Sequence, residues 1–365
     1  MSKIELTLAP NYVPSWTLVD AVRELFQNAL DQQKQNPGNT ASWDYDSQTG
    51  VLTISNATSK LTASSLLLGQ TTKAADKSTI GQFGEGYKIA TLVLLREGKN
   101  VVFYNYGAKE IWRPRFVKSR RFGTDILTFF TEKAEGFWKN VPSADLIIAV
   151  DGISADEYKD IVKSNLHLRT DYKVLEETEY GDVISLPGKV FVNGLYVCDY
   201  EPYTYGYNFK PEHIRLDRDR KMVNDFDLRW MASKMWSKCD DHDKVMEMVE
   251  AGKADVAFIK DVDWSSDWCN VAAEKFFSVY GPEAIPVTSQ AELESVPAGY
   301  KGIVVNSDYS ALVRGSSSFV MPAPDTTSTS PLANLQEWFE NVKSKLDDED
   351  IDKFETIMED LNNDY

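Results

Sequence analysis

Histidine and cysteine are both scarce in this sequence, at three residues each among 365. Cys198, Cys239 and Cys269 are scattered and odd in number, which argues against a disulfide framework. Cys239 and His242 have a metal-like spacing, but no second pair accompanies them, so zinc is not expected. No apolar run approaches the ~20 residues a membrane helix requires, and no secretory leader pattern opens the chain. The expectation is a cytoplasmic protein without a membrane partner. Also missing are a G-x-x-x-x-G-K-[ST] phosphate loop, an H-E-x-x-H zinc helix and a G-x-S-x-G nucleophile elbow. No internal repeat is present.

Basic residues are outnumbered, with 39 Lys and Arg against 56 Asp and Glu and a formal net charge of −17. Nucleic acid is therefore not an expected partner on charge alone, because phosphate-backbone binding requires basic surface. One local cluster runs the other way: Arg113, Arg115, Lys118, Arg120 and Arg121 around Trp112 and Phe116. It reads as a solvated loop or a counterweight to the acids. The acidity itself fits solubility, a basic partner or mimicry of DNA, and sequence does not choose among them.

Two segments in the first ninety residues carry chemistry. From Thr17, the apolar residues Val22, Leu25, Phe26, Ala29 and Leu30 recur at helical spacing, and Thr17 with Asp20 has the pattern of a capping box. Glu24, Asn28 and Asp31 fall on the opposite side of this helix. A glutamate can orient or deprotonate an attacking water, and a neutral Asn oxygen suits Mg²⁺, which keeps most of its waters and phosphates. Read alone, the stripe fits better the solvated face of an ordinary amphipathic helix. The second segment is Gly81-Gln82-Phe83-Gly84-Glu85-Gly86-Tyr87-Lys88, followed by a helical run from Ile89 to Leu95. Glycines let backbone approach a phosphate, and N–H groups at the helix start point at the anion. Lys73 and Lys88 flank the turn and would add positive charge.

In order and separation these motifs resemble the ATP-binding domain of the GHKL superfamily, which includes DNA gyrase B, MutL, the Hsp-class chaperones and MORC proteins. Glu24, Asn28 and Asp31 match its E-L-x-x-N-x-x-D helix. Gly81, Gly84 and Gly86 match its G-x-x-G-x-G lid, and Gly69 to Lys73 resembles the loop leading there. Gly123-Thr124, before a strand from Ile126 to Phe130, matches its late Gly-Thr. The resemblance covers about residues 10 to 215. It implies a Bergerat-type α+β sandwich, with antiparallel or mixed sheet and helices on one face. It also implies ATP and Mg²⁺ as ligands, with Glu24 as the base and Asn28 on the metal. Asp31, Asn56, Lys73, residues 81–86, Lys88 and Thr124 would then line the nucleotide.

One element departs from the family pattern. After the strand Val51 to Ile54 the family has an aspartate that accepts from the adenine amino group, then glycines. This chain has Asn56, with Thr58 and Lys60 in the glycine positions. A neutral acceptor contributes less than a charged one, so about one to two kcal/mol, or roughly tenfold in affinity, is expected to be lost. An Asn amide can also turn its N–H toward a guanine oxygen, which leaves the choice between ATP and GTP open.

The length suits about two domains. Residues 1–150 form the expected nucleotide-binding domain, with a hairpin at Trp43 to Ile54 and strands at Val101 to Tyr104, Ile126 to Phe130 and Leu146 to Val150. Residues 151–240 form a transducer-like α/β domain, with a helix from Asp151 to Asn165 and a hairpin turning at Asn193-Gly194. The family resemblance implies a cation from this domain reaching the terminal phosphate, and Arg218, Arg220 and Lys221 are the candidates. The alternating Asp and Arg there read equally as a surface ion-pair cluster. A general likeness to phage rIIA-type proteins lies in this segment and in Gly81 to Gly98. Residues 241–315 form a small α/β unit with strands at Val256 to Ile259, Ala284 to Val287 and Gly302 to Val305. Residues 316–331 form a linker, and 332–365 an acidic helical segment. Three histidines and no coiled-coil segment argue against a histidine kinase.

Two functions follow. In one, a slow ATPase uses lid closure to drive a conformational or dimerisation switch. In the other, a nucleotide-sensing or protein-interaction module with a degenerate base pocket, of a kind a phage would direct at a host factor, no longer turns ATP over. Glu24 favours the first and the Asn56 segment the second. The protein partner and the oligomeric state, a homodimer included, are not specified by the sequence.

Overall fold

The computed structural model describes residues 2–67, 86–134, 144–214, 224–262, 268–321, 331–346 and 348–363. The fold is α+β and divides into two compact units, Met1–Ser266 and Asp267–Tyr365. Among the described residues no helix is long and apolar enough to cross a membrane.

The first unit opens with β1 (Ser2–Glu5), α1 (Leu18–Gln35), β2 (Ala41–Asp46), β3 (Val51–Asn56) and α2 (Gly86–Arg96). It continues through β4 (Asn100–Asn105), β5 (Glu110–Lys118), β6 (Asp125–Lys133) and β7 (Leu146–Asp151). These strands make a seven-stranded antiparallel sheet in the order β1-β6-β5-β4-β7-β3-β2. Alternation decides its faces: Leu52, Ile54, Val101, Phe103, Trp112 and Phe129 point inward against α1 and α2. The expected capping box starts α1, with Thr17 accepting from the Asp20 N–H and the Asp20 carboxylate accepting from the Thr17 N–H.

A second sheet follows α3 (Ala155–Lys163). It holds β8 (Val174–Thr178), β9 (Gly181–Ile184), β10 (Lys189–Val192), β11 (Leu195–Asp199) and β12 (Gly206–Phe209), in the order β11-β10-β12-β9-β8. The Asn193-Gly194 turn sits where expected, both residues having positive φ, as a tight hairpin requires. Its glycine packs under His167, whose ring nitrogen would lie 2.5 Å from an added Cβ. The His167 ring also leans on Trp43 of β2, tying the second sheet to the first.

Helices α4 (Asp225–Trp236), α5 (His242–Glu250) and α6 (Ile259–Val262) complete the first unit. The strand expected at Val256 to Ile259 is instead a 3₁₀ turn running into α6. The reason is tertiary: the Asp255 carboxylate accepts from the Thr204 and Tyr205 N–H groups and the Tyr207 hydroxyl, and is fully buried. That docking holds 241–262 against β12, so the compact unit ends at Ser266 and not at residue 240. The second unit has α7 (Trp268–Tyr280), β13 (Ala284–Val287), α8 (Gln290–Glu294), β14 (Lys301–Val304) and α9 (Ser307–Arg314), with β13 and β14 parallel. Then come α10 (Pro331–Val342) and α11 (Asp348–Asn363), where Phe339 and Phe354 stack at 3.8 Å.

Candidate functional site

The polar stripe of α1 is not a solvated face. Glu24 and Asp31 are each 1 % exposed. Asn28, between them and half-buried, donates its Nδ2 to the Glu24 carbonyl at 2.7 Å. That leaves Asn28 Oδ1 as the oxygen with no hydrogen bond among the described residues, which is the acceptor a cation needs.

Gly86, the first residue of α2, lies directly over this stripe. A Cβ there would stand 2.5 Å from Glu24 Oε2 and 3.1 Å from Asn28 Nδ2. A side chain there would have to displace the Glu24 carboxylate, and its absence lets a helix N-terminus meet a carboxylate and an amide. Tyr87 and Lys88 secure the same corner from the next positions. The Tyr87 hydroxyl donates to the Ser65 carbonyl at 2.6 Å, and the Lys88 ammonium donates to the Leu67 carbonyl. Burial pushes the Tyr87 phenol above its ordinary pKa, keeping it a neutral donor. Lys88 is wholly buried.

Asn56, the last residue of β3, is also buried. Its Nδ2 donates to the Ala29 carbonyl at 2.9 Å and the Asn39 carbonyl at 3.1 Å. Reversing the amide would set Oδ1 against two carbonyl oxygens, so its orientation is fixed by its partners. Among the described residues Oδ1 has no hydrogen-bond partner and is left as an acceptor. Thr58 takes a left-handed backbone, φ 49°, in a position where the family resemblance implies glycine. The cost to a β-branched residue is offset by three hydrogen bonds. Its N–H donates to Asp145 Oδ1 at 3.0 Å, and its hydroxyl reaches the Gly38 carbonyl and Asn39 Oδ1. Lys60 is exposed.

Asp145 and Asn105 are the positioning residues that sequence reading missed. Asn105 is fully buried and exchanges two hydrogen bonds with the Leu61 backbone, at 2.8 and 3.2 Å. Both lie at the end of the sheet that carries Asn56, where Asn56, Leu146, Asn105 and Glu110 share one row. An acid immediately before a buried strand was the available signal for Asp145.

Thr124 is a correction. Gly123-Thr124 form the exposed turn between β5 and β6, with the Ser119 N–H donating to the Thr124 carbonyl. That turn is at the far end of β5 from the Asn56 row, about 27 Å along a strand of this length. Thr124 therefore does not belong to the Glu24 site. The strand beside β3 is β7, not β6. Lys73, residues 81–85 and the cations Arg218, Arg220 and Lys221 lie outside the described residues. Glu212, just before the latter segment, is 3.5 Å from Lys34 on the last turn of α1. Among the described residues no three His, Cys, Asp or Glu side chains group to hold a metal.

Comparison with known proteins gives a family-model match to the Mycoplasma pneumoniae MPN635 N-terminal domain over residues 156–242. A Mycoplasma pneumoniae protein described as uncharacterized is 26 % identical over 220 residues, covering 57 % of this chain and 86 % of the relative. Solved structures that match include the ATPase region of Saccharomyces cerevisiae topoisomerase II, at TM-score 0.28 and 9 % identity over 53 % of this chain and 69 % of that one. The same region bound to ICRF-187 (dexrazoxane) matches at TM-score 0.36 and 10 % identity, over 72 % of this chain and 93 % of that one.

Proposed function

We propose that the corner formed by Glu24, Asn28, Asn56 and Gly86 binds ATP with Mg²⁺ and hydrolyses it slowly. The observation that carries this reading is the seating of the α2 N-terminus, through Gly86, on Glu24 and Asn28. A water-activating carboxylate, a free amide oxygen and helix N–H donors converge there. The cradle fits the ligand: a side chain at position 86 would fill it, and both free amide oxygens suit what each would meet.

Bound Mg²⁺ would supply charge neutralisation between phosphates. Asn28 Oδ1 would hold it, and the N-terminus of α2 would take the phosphate charge. Asn56 Oδ1 would accept from the base, which selects the amino group of adenine and disfavours the guanine oxygen. Glu24 would take a proton from the attacking water, and its burial keeps bulk solvent away from that proton. Arg218, Arg220 and Lys221, on sequence grounds, would steady charge on the terminal phosphate. Leu67 and Gly86, which flank residues 68–85, are both held at this corner, since the Lys88 ammonium donates to the Leu67 carbonyl and a Cβ on Gly86 would meet Glu24. A change there on binding would pass to α2 and the sheet, the basis for a conformational or dimerisation switch.

Calorimetric titration with Mg-ATP and Mg-GTP, with phosphate release measured on the same sample and on Glu24→Ala, tests the reading. The expected result is ATP binding about tenfold tighter than GTP, with turnover lost in the variant and binding kept. One observation favours a second reading, the near-complete burial of Glu24. ATP binding without phosphate release would establish that reading, a nucleotide-sensing module. Absence of binding to either nucleotide would overturn both.

A further inference from the structure

The outer face of the seven-stranded sheet, opposite α1 and α2, carries an open cavity of about 550 Å³ between β4 and β5. The cause is in the sequence. β4 pairs with β7 along its whole length, but with β5 only at Phe103–Trp112, Tyr104–Ile111 and Asn105–Glu110. Past Trp112 the next inward residue is Pro114, which has no N–H with which to continue a ladder. The two strands part there, and Arg113 and Arg115 stand on one wall with Tyr104 and Asn100 on the other.

The wall on β5 is unusual for this chain. Residues 111–124 hold five Arg or Lys and no Asp or Glu, in a protein with 56 acids. Arg113 is 2.9 Å from Glu132. Arg115 has no carboxylate or hydrogen-bond partner among the described residues, and its guanidinium lies 4.1 Å from the centre of the Phe130 ring. The pattern repeats at the end of the strand, where Arg121 lies 5.4 Å from the ring of Phe122, itself 48 % exposed. A guanidinium thus lies against an aromatic ring at two places, beside the cavity and at the exposed turn. Two acids border the stripe, Glu132 on β6 paired with Arg113 and Asp151 at the far end of the cavity, while Asp44 and Asp46 belong to β2, four strands away.

We propose that this stripe binds single-stranded nucleic acid, with a base entering the cavity beside Tyr104 and Phe130 and the phosphates following Arg113, Arg115, Arg120 and Arg121. Stacked guanidinium and ring planes match unpaired bases, and a free Arg115 matches a phosphate. A single-stranded backbone can follow one strand of a sheet, whereas a duplex would bring its second strand against the acidic surface around it. The net charge of −17 confines binding to this stripe and makes it steeply salt-dependent. This inference is independent of the Glu24 site.

Fluorescence anisotropy of the full chain with a labelled oligothymidylate of about twenty nucleotides, at about 50 mM salt and without ATP, tests it. The expected result is binding that weakens steeply with salt. The triple variant Arg115→Glu, Arg120→Glu, Arg121→Glu should weaken it by about tenfold or more. Tyr104→Leu should weaken it several-fold while leaving the salt dependence unchanged, since stacking and not charge is removed. Glu24→Ala should bind as the native chain does, which separates this surface from the nucleotide site. Circular dichroism confirms that each variant is folded. Absence of binding at low salt, or native affinity in both surface variants, would overturn the proposal. So would equal displacement by polyglutamate, which marks an acidic-peptide surface, or full displacement by AMP, which marks a mononucleotide pocket.

Discussion

Asn56 is held in one orientation by its neighbours. An aspartate there would add charge to the proposed base contact, so Asn56→Asp looks like a route to tighter ATP binding. The surroundings argue for the opposite outcome. Both Nδ2 hydrogens are taken by the Ala29 and Asn39 carbonyls. A carboxylate would set an oxygen against those two acceptors in a buried position, or hold a proton to avoid doing so. Losing the donors and crowding the acceptors should cost about 2–4 kcal/mol of stability. The expected result in urea denaturation is a lower midpoint, and in calorimetry weaker ATP binding. A variant as stable as the native chain that bound ATP more tightly would show that Asn56 is not held in this orientation. The chain that has Asn56 must also have Asn39 and the α1 carbonyl in place, a coupling between residues 17 positions apart that no local pattern reveals.

At the scale of elements, legibility followed the reach of the interactions. The Thr17 cap, the Asn193-Gly194 turn and the β2–β3 hairpin depend on neighbours in sequence, and all stand where the patterns place them. β5 was misread as a solvated loop because Pro114 and the exposed arginines hide its alternation, in which Trp112, Pro114 and Phe116 face inward. Thr124 was misassigned because a Gly-Thr pair does not disclose which end of which strand it occupies. The Glu24–Asn28–Gly86 corner was half legible: the motifs could be read, but not that α2 would rest its first residue on the carboxylate. The start of α3 offers a test at this scale. Ser154 and Glu157 form a capping box, and Lys99 Nζ reaches both Glu157 oxygens at 2.8 Å and the Gly152 carbonyl at 2.7 Å. Burial raises the Glu157 carboxyl pKa, but the hydrogen bonds from Lys99 and Ser154 outweigh it and hold the group below its ordinary value of 4.5. Because the folded pKa lies below the unfolded one, this stabilisation is present above pH 4.5 and is lost as pH falls through the folded value. Lys99→Met should cost about 1 kcal/mol at neutral pH. The gap to the native chain should shrink as the solution is acidified, read from urea midpoints across the pH range. A gap that stayed constant would assign the effect to the Gly152 contact alone.

Over the whole molecule, the position of Asp255 decides where the first unit can be cut. Composition and motif spacing placed a break after residue 240, because the recognisable patterns stop there. The described contacts run on to Val262: the Ser233 hydroxyl accepts from the Phe258 N–H, the Trp236 indole donates to Tyr207, and Tyr207 donates to Asp255. A fragment of residues 1–240 would leave the Thr204 and Tyr205 N–H groups and the Tyr207 hydroxyl without their acceptor. It would also remove the buried apolar residues Val245, Met246, Val249 and Val256 from the unit. Each orphaned donor costs about 1–3 kcal/mol, against a total stability of about 5–15 kcal/mol for a domain. The loss is enough to unfold the second sheet. A fragment of residues 1–266 keeps every one of these contacts and should unfold in a single cooperative urea transition. The 1–240 fragment should show either no transition or one of reduced amplitude confined to the seven-stranded sheet. Asp255→Asn within 1–266 gives the intermediate case. It keeps one acceptor oxygen and puts N–H donors where a second acceptor is needed, so it should lose about 2–3 kcal/mol without changing the cooperativity. Equal stability of the two fragments would mean that the region beyond residue 240 rests on the first unit without holding it together.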